Sequence, residues 1–420
     1  MLGDALPSLR TAAPGPQSHA WVDRLAVREC PAITARRARR AMQIGAADTD
    51  PIVWAEAVGS NVVDVDGNVF VDLTAGFGVA AVGHRNAAVV AAAKAQCDVL
   101  VHAMGDAFPD RRRIELMEAL SARTGMDRVI LGTSGSDAID AAVKTAVIAT
   151  GRHRIVAFDG GYHGLAFGPL ASLGYLRGTM RQPFEKLLGG HVSWSRFGGP
   201  LPVVAALHDV AAVLVEPIQG RGGMRIAPAG WLEGLHDAAK AAGALVIHDE
   251  IYSGCGRTGP FLASNLRPDL LCLGKALGGG FPLSACLGTA HAMDAWGAST
   301  GAAIHTQTFL GHPVGCAAAL AALGELDRLG PAGAARGERL AARLREVRGV
   351  SSVSGRGMML GVHVPNPLQA THDLLDRGFI VLPAGERGEV LGLTPPYVLT
   401  DAQADAFVAA LADVLAWQLG

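Results

Sequence analysis

Long hydrophobic runs, paired cysteines and an excess of one charge sign are all missing from this 420-residue chain. No apolar run reaches the roughly 18 residues of a membrane span, because stretches such as Val203 to Val215 are broken by His208 and Asp209. The first twenty residues carry Asp4 and three prolines but no apolar stretch of about 7 to 15 residues, so no secretory leader is expected. The six cysteines show neither CxxC nor metal-ligand spacing, and a chain this long needs no disulfide framework. A cytoplasmic protein with reduced thiols and no metal site is expected. Lys plus Arg (36) nearly balance Asp plus Glu (38), which leaves no global field for nucleic acid or an anionic membrane. Two local clusters, Arg36, Arg37, Arg39, Arg40 and Arg111, Arg112, Arg113, read as solvated helix faces, with an anion site as the alternative. Lysine itself is scarce, with only Lys94, Lys144, Lys186, Lys240 and Lys275 present.

What is there is a globular α/β pattern. Half of the residues are apolar, too many for a disordered chain. Residues 1–60, punctuated by Pro14, Pro16, Pro31 and Pro51, read as an arm that packs with the small domain. From Asn61, short β-rich runs alternate with alanine-rich helical stretches, which marks 61–310 as a large α/β domain. The runs Val129 to Gly132, Arg154 to Phe158, Ala211 to Val215, Ala244 to His248 and Leu270 to Leu273 are mostly apolar, as strands buried on both faces should be. A helix over Val314 to Leu329 opens a more charged segment, 311–420, expected to form a small C-terminal α+β domain with strand-like pieces and a terminal helix from Asp401.

The chemistry is expected where those strands end. Thr133-Ser134-Gly135-Ser136, Asp159 to His163, Glu216, Asp249-Glu250 and Gly274-Lys275 each follow a buried strand, and ligands of open α/β sheets bind outside the strands' carboxyl ends. Ser134 to Asp137 opens a helix with a capping-box pattern; its free N–H groups and positive dipole end suit a phosphate, although capping alone would produce the same residues. Lys275 stands between an apolar run and Gly278-Gly279-Gly280, so it should be partly desolvated and its amine made more nucleophilic, as a Schiff-base lysine requires. A P-loop does not fit, since Ala276 replaces the magnesium-binding Ser or Thr. Gly254 to Gly259 spells GxGxxG, but it follows a polar stretch and runs into Pro260, so a dinucleotide fold is not expected there.

A phosphate cup, a strand-end Asp and a desolvated Lys together are what pyridoxal phosphate (PLP) needs. With VDVDGNVFVDLTAG at Val63 to Gly76, Gly83-His84, SGSDAIDAAVKTA at Ser134 to Ala146, FDGGYHG at Phe158 to Gly164, EPIQG at Glu216 to Gly220, HDEIYSGCGRTG at His248 to Gly259, PDLLCLGKALGGGFPL at Pro268 to Leu283, HTQTFLGHP at His305 to Pro313 and TPPYVLT at Thr394 to Thr400, the chain resembles the class III (ornithine/ω) aminotransferases of PLP fold type I. The resemblance implies that Lys275 carries the cofactor and moves the proton, and that Asp249 keeps its pyridine nitrogen protonated. It also implies a cofactor site of Ser134, Gly135, Ser136, Tyr162, His163, Glu216 and Ile251, with Thr308 reaching in from the neighbouring subunit of a homodimer. Phe77, Arg221, Tyr252 and Gly392 fall on the substrate side.

That substrate side departs from the family pattern. A glutamate commonly follows EPIQG and an arginine commonly precedes the PP pair by three residues; here those positions hold Arg221 and Gly392, and the Gln often found after DEV is Tyr252. The expectation is an aminotransferase whose acceptor is a carbonyl without a neighbouring carboxylate, resembling members that aminate sugars or cyclitols in antibiotic pathways. Arg221, or else Arg387, would take the carboxylate of the amino donor, and a bulkier acceptor would use the space left at Gly392. An isomerase, epimerase or dehydratase of an amine on the same fold is the alternative enzyme, and a non-catalytic scaffold the alternative outside enzymes.

Overall fold

The structure, a computed structural model, describes residues 1–33, 50–298 and 303–419; the Arg36 to Arg40 cluster lies outside them. Its centre is a seven-stranded sheet in the order Arg128–Gly132, Ser284–Gly288, Leu270–Leu273, Leu245–Asp249, Val210–Val215, Arg154–Phe158 and Val192–Ser195. Only Ser284–Gly288 runs against the others. Val210–Val215 and Leu270–Leu273 are buried along their whole length, which is why they read as unbroken apolar runs. The two strands with no such signal are Val192–Ser195, a half-buried edge strand with two serines, and Ser284–Gly288, built from small residues of low β propensity.

Helix Gly135–Thr150 covers one face of this sheet through Ala138, Ile139, Ala142 and Ala146, the stripe at helical spacing. On the other face, Trp231–Ala242 packs Trp231, Leu235 and Ala239 against Val213, Val215 and Val246. A second, four-stranded sheet joins Trp54–Val58, Asn61–Asp64 and Val69–Asp72 to the distant Phe379–Ile380. A third, wholly antiparallel, sheet has the order Ser352–Arg356, Met359–His363, Val390–Leu393 and Leu382–Ala384.

The helix expected to stop near Leu329 instead runs over Pro313–Glu346, straight through Pro331. A proline in a helix interior costs about 3 kcal/mol, so something must offset it. Burial does: a Cβ at Gly333 would lie 2.6 Å from Tyr397 Cδ1 and one at Gly337 2.0 Å from Gly357 O, so these glycines admit close packing that holds the helix together. Arg111 to Arg113 begin the helix Arg111–Thr124; Arg111 is exposed and Arg112 pairs with Glu115 at 2.8 Å, but Arg113 is partly buried, its Nε enclosed beside Gly311, so the three do not form one solvated face. Among the described residues no helix is long and apolar enough to cross a membrane, and no cluster of His, Cys, Asp or Glu is placed to hold a metal ion.

Candidate active site

The parallel strands bring their carboxyl ends to one edge, and a cavity of about 770 Å³ opens there. Ser134, Gly135, Ser136, Tyr162, His163, Glu216, Asp249, Ile251 and Lys275 all line it, as do Phe77, Arg221, Tyr252 and Gly392. Thr308 does not; it is exposed and outside this cavity.

At the phosphate-like end, Ser134 caps helix Gly135–Thr150. Its hydroxyl accepts from Asp137 N–H at 3.3 Å while the Asp137 carboxylate accepts from Ser134 N–H at 2.8 Å and Thr133 N–H at 2.9 Å. Burial opposes the Asp137 charge, but these donors and the Thr133 hydroxyl hold its carboxyl below the usual range. Gly164 is required beside this turn: it has φ +110°, and a Cβ there would fall 2.1 Å from Ser136 Oγ. Gly135 likewise sits where a Cβ would come within 2.9 Å of Ile251 Cδ1. The helix terminus therefore presents bare backbone to the cavity.

Across the floor, Asp249 is the last residue of its strand and 3% exposed. One carboxylate oxygen accepts from Ile251 N–H at 3.1 Å, and the other lies 2.7 Å from His163 Nδ1. Burial disfavours a charged His163, yet the Asp249 hydrogen bond and the Asp249 and Glu216 charges outweigh it and raise the imidazole above its ordinary pKa. Glu216 accepts from Tyr162 N–H at 2.9 Å and Gly220 N–H at 3.2 Å, and burial pushes its carboxyl up to about 7. Burial drives Lys275 the other way, to about 8, against the opposing pull of Asp249 and Glu216. An amine near 8 is available both as base and as acid close to neutral pH.

The wall opposite is held in strained backbone. Ala75, Gly76, Phe77 and Gly78 all have positive φ, a conformation that persists only where its surroundings impose it. Asp72 does so: it accepts from Thr74 N–H and hydroxyl, both at 2.7 Å, and from Gly76 N–H at 3.0 Å, and it lies 2.8 Å from His84 Nε2. The Gly83-His84 motif is explained by that last contact. Arg257, inside the GxGxxG-like stretch, is fully buried; it donates to Pro395 O at 2.6 Å, Thr394 O at 3.2 Å and Gly78 O at 3.1 Å. That stretch is a series of turns whose arginine ties the Phe77 wall to the TPPYVLT segment.

On the substrate side, the Arg221 guanidinium lies over the Tyr175 ring at 5.4 Å and makes no hydrogen bond or ion pair with any described residue. At Gly392 the expected recess is absent: a Cβ there would meet Ala384 Cβ at 3.2 Å and Leu382 O and Met224 Cε at 3.3 Å. The neighbouring strand and the Met224 side chain take up the volume. Arg387, the alternative arginine for a carboxylate, also lines the cavity; sequence reading missed Tyr175, Met224 and the rest of the Leu382 to Gly388 segment, which carry no local pattern.

The sequence profile of the family described as "Aminotransferase class-III" matches residues 44–195 and 201–415. The chain is 39% identical to an acetylornithine aminotransferase of Corynebacterium efficiens, over 88% of this chain and 93% of that protein. It is 36% identical to the acetylornithine aminotransferase of Methanopyrus kandleri, over 87% and 94%. Among solved structures, the ornithine aminotransferase of Toxoplasma gondii ME49 superposes with a TM-score of 0.79 at 27% identity, covering 95% of this chain and 98% of that one. A PLP-bound amine transaminase from an uncultivated Pseudomonas species also scores 0.79, at 28% identity over 88% and 95%.

Proposed function

Because the chain belongs to the class III aminotransferases, PLP-dependent enzymes of fold type I, we propose that it moves an amino group from an amino-acid donor to a carbonyl acceptor lacking a neighbouring carboxylate, such as an oxidised amino sugar or cyclitol. The observation that carries the acceptor assignment is the reversed charge in the cavity: an unpaired Arg221 where a carboxylate is common, and no cation at Gly392.

The residues fit the cofactor. Ser134, Gly135, Ser136 and Gly164 line the cavity at the start of the helix, where Gly135 and Gly164 let the turn pack closely on Ile251 and Ser136, and the buried Asp249 carboxylate is the partner a protonated ring nitrogen needs. When bound, PLP supplies an aldehyde for the amine and a ring that withdraws electrons from the substrate carbon. Ser134 to Ser136 hold the phosphate at the helix N-terminus, where dipole and N–H groups favour an anion. Asp249 would keep the ring nitrogen protonated, and His163 fixes the orientation of that carboxylate. Ile251 and Tyr162, which line the cavity, would pack against the ring. Lys275 would remove a proton from the donor's carbon in one half-reaction and deliver a proton to the acceptor's carbon in the other. Tightening the turn at the helix start tests this arrangement: Gly164→Ala, with a strained φ and a clash on Ser136, weakens PLP binding to the stripped protein by about tenfold to a hundredfold in a fluorescence titration.

Arg221 serves the donor's carboxylate. An arginine–carboxylate hydrogen bond contributes roughly 1.5 to 3 kcal/mol, so Arg221→Ala slows the half-reaction with amino-acid donors about tenfold to a hundredfold and leaves carboxylate-free amines unaffected. Equal rates with and without the arginine would sink this assignment. The relatives' names favour a second reading, in which acetylornithine or a similar ω-amino acid is the donor. Mixing the aminated enzyme with a panel of carbonyl compounds, and following loss of the aminated cofactor's absorbance, identifies the acceptor; response to 2-oxo acids alone rejects the sugar or cyclitol proposal. The exposed position of Thr308, beside the exposed Phe309 and outside the cavity of its own chain, supports a homodimer, and sedimentation measures that oligomeric state.

A further inference from the structure

The Lys275 amine makes no hydrogen bond or ion pair with any described residue; its Nζ lies 3.8 Å from the centroid of the Tyr252 ring. The ring is fixed from both sides. A Cβ at Gly220 would come 2.2 Å from Tyr252 Cδ1, and one at Gly78 would come 2.5 Å from its Cε2, so only glycine at both positions admits an aromatic ring there. Its far end is anchored as well. Thr394 Oγ1 donates to Thr74 O at 2.9 Å, which leaves that oxygen to accept from the Tyr252 hydroxyl at 3.2 Å. Lys275 is constrained from its own side by a backbone φ of 45°, which a non-glycine residue adopts only where the surroundings demand it. Two independent constraints thus aim an amine at the face of a ring.

The geometry points to Tyr252 as a positioning residue: its ring face holds the Lys275 ammonium whenever that amine is not bonded to cofactor or substrate, and so keeps the proton carrier over the cavity floor. This rests on the reading of Lys275 as the catalytic amine. The physical basis is the negative face of the aromatic ring, which attracts a cation within about 6 Å and does so more strongly when water is excluded. Other charged groups act on the same amine. Burial and the Arg221 and Arg257 guanidiniums favour its neutral form, whereas the Asp249 and Glu216 carboxylates favour the ammonium, with His163 beside Asp249. The ring adds to the second group, so its removal must lower the pH at which Lys275 loses its proton. A purely structural role for Tyr252 would not move that pH.

The test reads Lys275 directly, without turnover. Full-length protein stripped of cofactor is treated with formaldehyde and cyanoborohydride across a pH series, and methylation of each lysine is followed by peptide mass spectrometry. Lys94, Lys186 and Lys240 are exposed and serve as internal standards. In Tyr252→Leu, the half-labelling pH of Lys275 falls by about 0.5 to 1.5 units below wild type, whereas Tyr252→Phe, which keeps the ring, stays within about 0.3. Should the leucine variant lose its melting transition, Tyr252→Met, equally apolar and ring-less, takes its place with the same expected fall. Coincident curves for wild type and the ring-less variant overturn the proposal, as does a shift in Tyr252→Phe as large as that in Tyr252→Leu. If holoprotein reduced with borohydride carries no cofactor on Lys275, the reading of the site fails while the labelling shift stands. Unchanged labelling removes only the role of Tyr252.

Discussion

Lys275→Ala abolishes covalent cofactor attachment and lowers the rate of the amino-transfer half-reaction by at least about 10³-fold to 10⁴-fold, the upper range for loss of a general acid–base. The expectation follows from position. Lys275 alone among the five lysines lines the cavity; Lys94, Lys186 and Lys240 are exposed, and Lys144 is paired with Asp140 at 3.0 Å on the outside of its helix. Borohydride reduction of wild-type holoprotein fixes the cofactor to the peptide containing Lys275, and the variant shows no such peptide. Single-turnover rates measured in both proteins check the second half of the prediction. Label on another lysine, or a variant with near-normal single-turnover rate, rejects the assignment.

The second large effect is at Asp249. Asp249→Asn keeps nearly the same shape but removes the buried negative charge that faces the cofactor site. Loss of one preorganised electrostatic partner costs roughly 3 kcal/mol, so the half-reaction slows by about 10²-fold to 10³-fold while part of the PLP binding persists. His163 reports the same change. Its pKa is raised because the Asp249 hydrogen bond and charge overcome burial, so with asparagine the imidazole loses its proton at lower pH. Linkage then fixes the sign of the stability change. In wild type the pair stabilises the fold below the unfolded His pKa and this contribution is lost as pH rises through the folded value; in Asp249→Asn burial is left as the largest influence on the imidazole and this contribution is absent. Chemical denaturation of the stripped protein at several pH values measures it, and near-normal turnover in the variant would assign the ring-nitrogen role to another residue.

Much of this site is written in local sequence. Each of the five parallel strands that ends at the cavity is a short apolar run because both faces are covered, and each is followed at once by its polar group, so Ser134, Glu216, Asp249 and Lys275 could be read as one constellation before any coordinates. The capping box of Ser134 and Asp137 is equally local, since its partners lie three residues apart. The left-handed run at Ala75 to Gly78 was not legible, because no periodicity marks Asp72 as the acceptor that gathers Thr74, Gly76 and His84.

The sequence by itself determined the strand ends, the capped turn at Ser134 to Asp137 and the one lysine that lines the cavity, for these depend on hydrophobic period and on neighbours within one helical turn. Tertiary structure decided the rest. The helix Pro313–Glu346 passes a proline because close glycine contacts compensate, and the GxGxxG-like stretch is a buried arginine anchor because Gly78 and Pro395 meet there. Met224 and Ala384 close the volume beside Gly392, and Gly78 and Gly220 open the slot that brings the Tyr252 ring to Lys275. Each of these joins residues far apart in the chain, and the energy of such contacts depends on distances that no local pattern encodes.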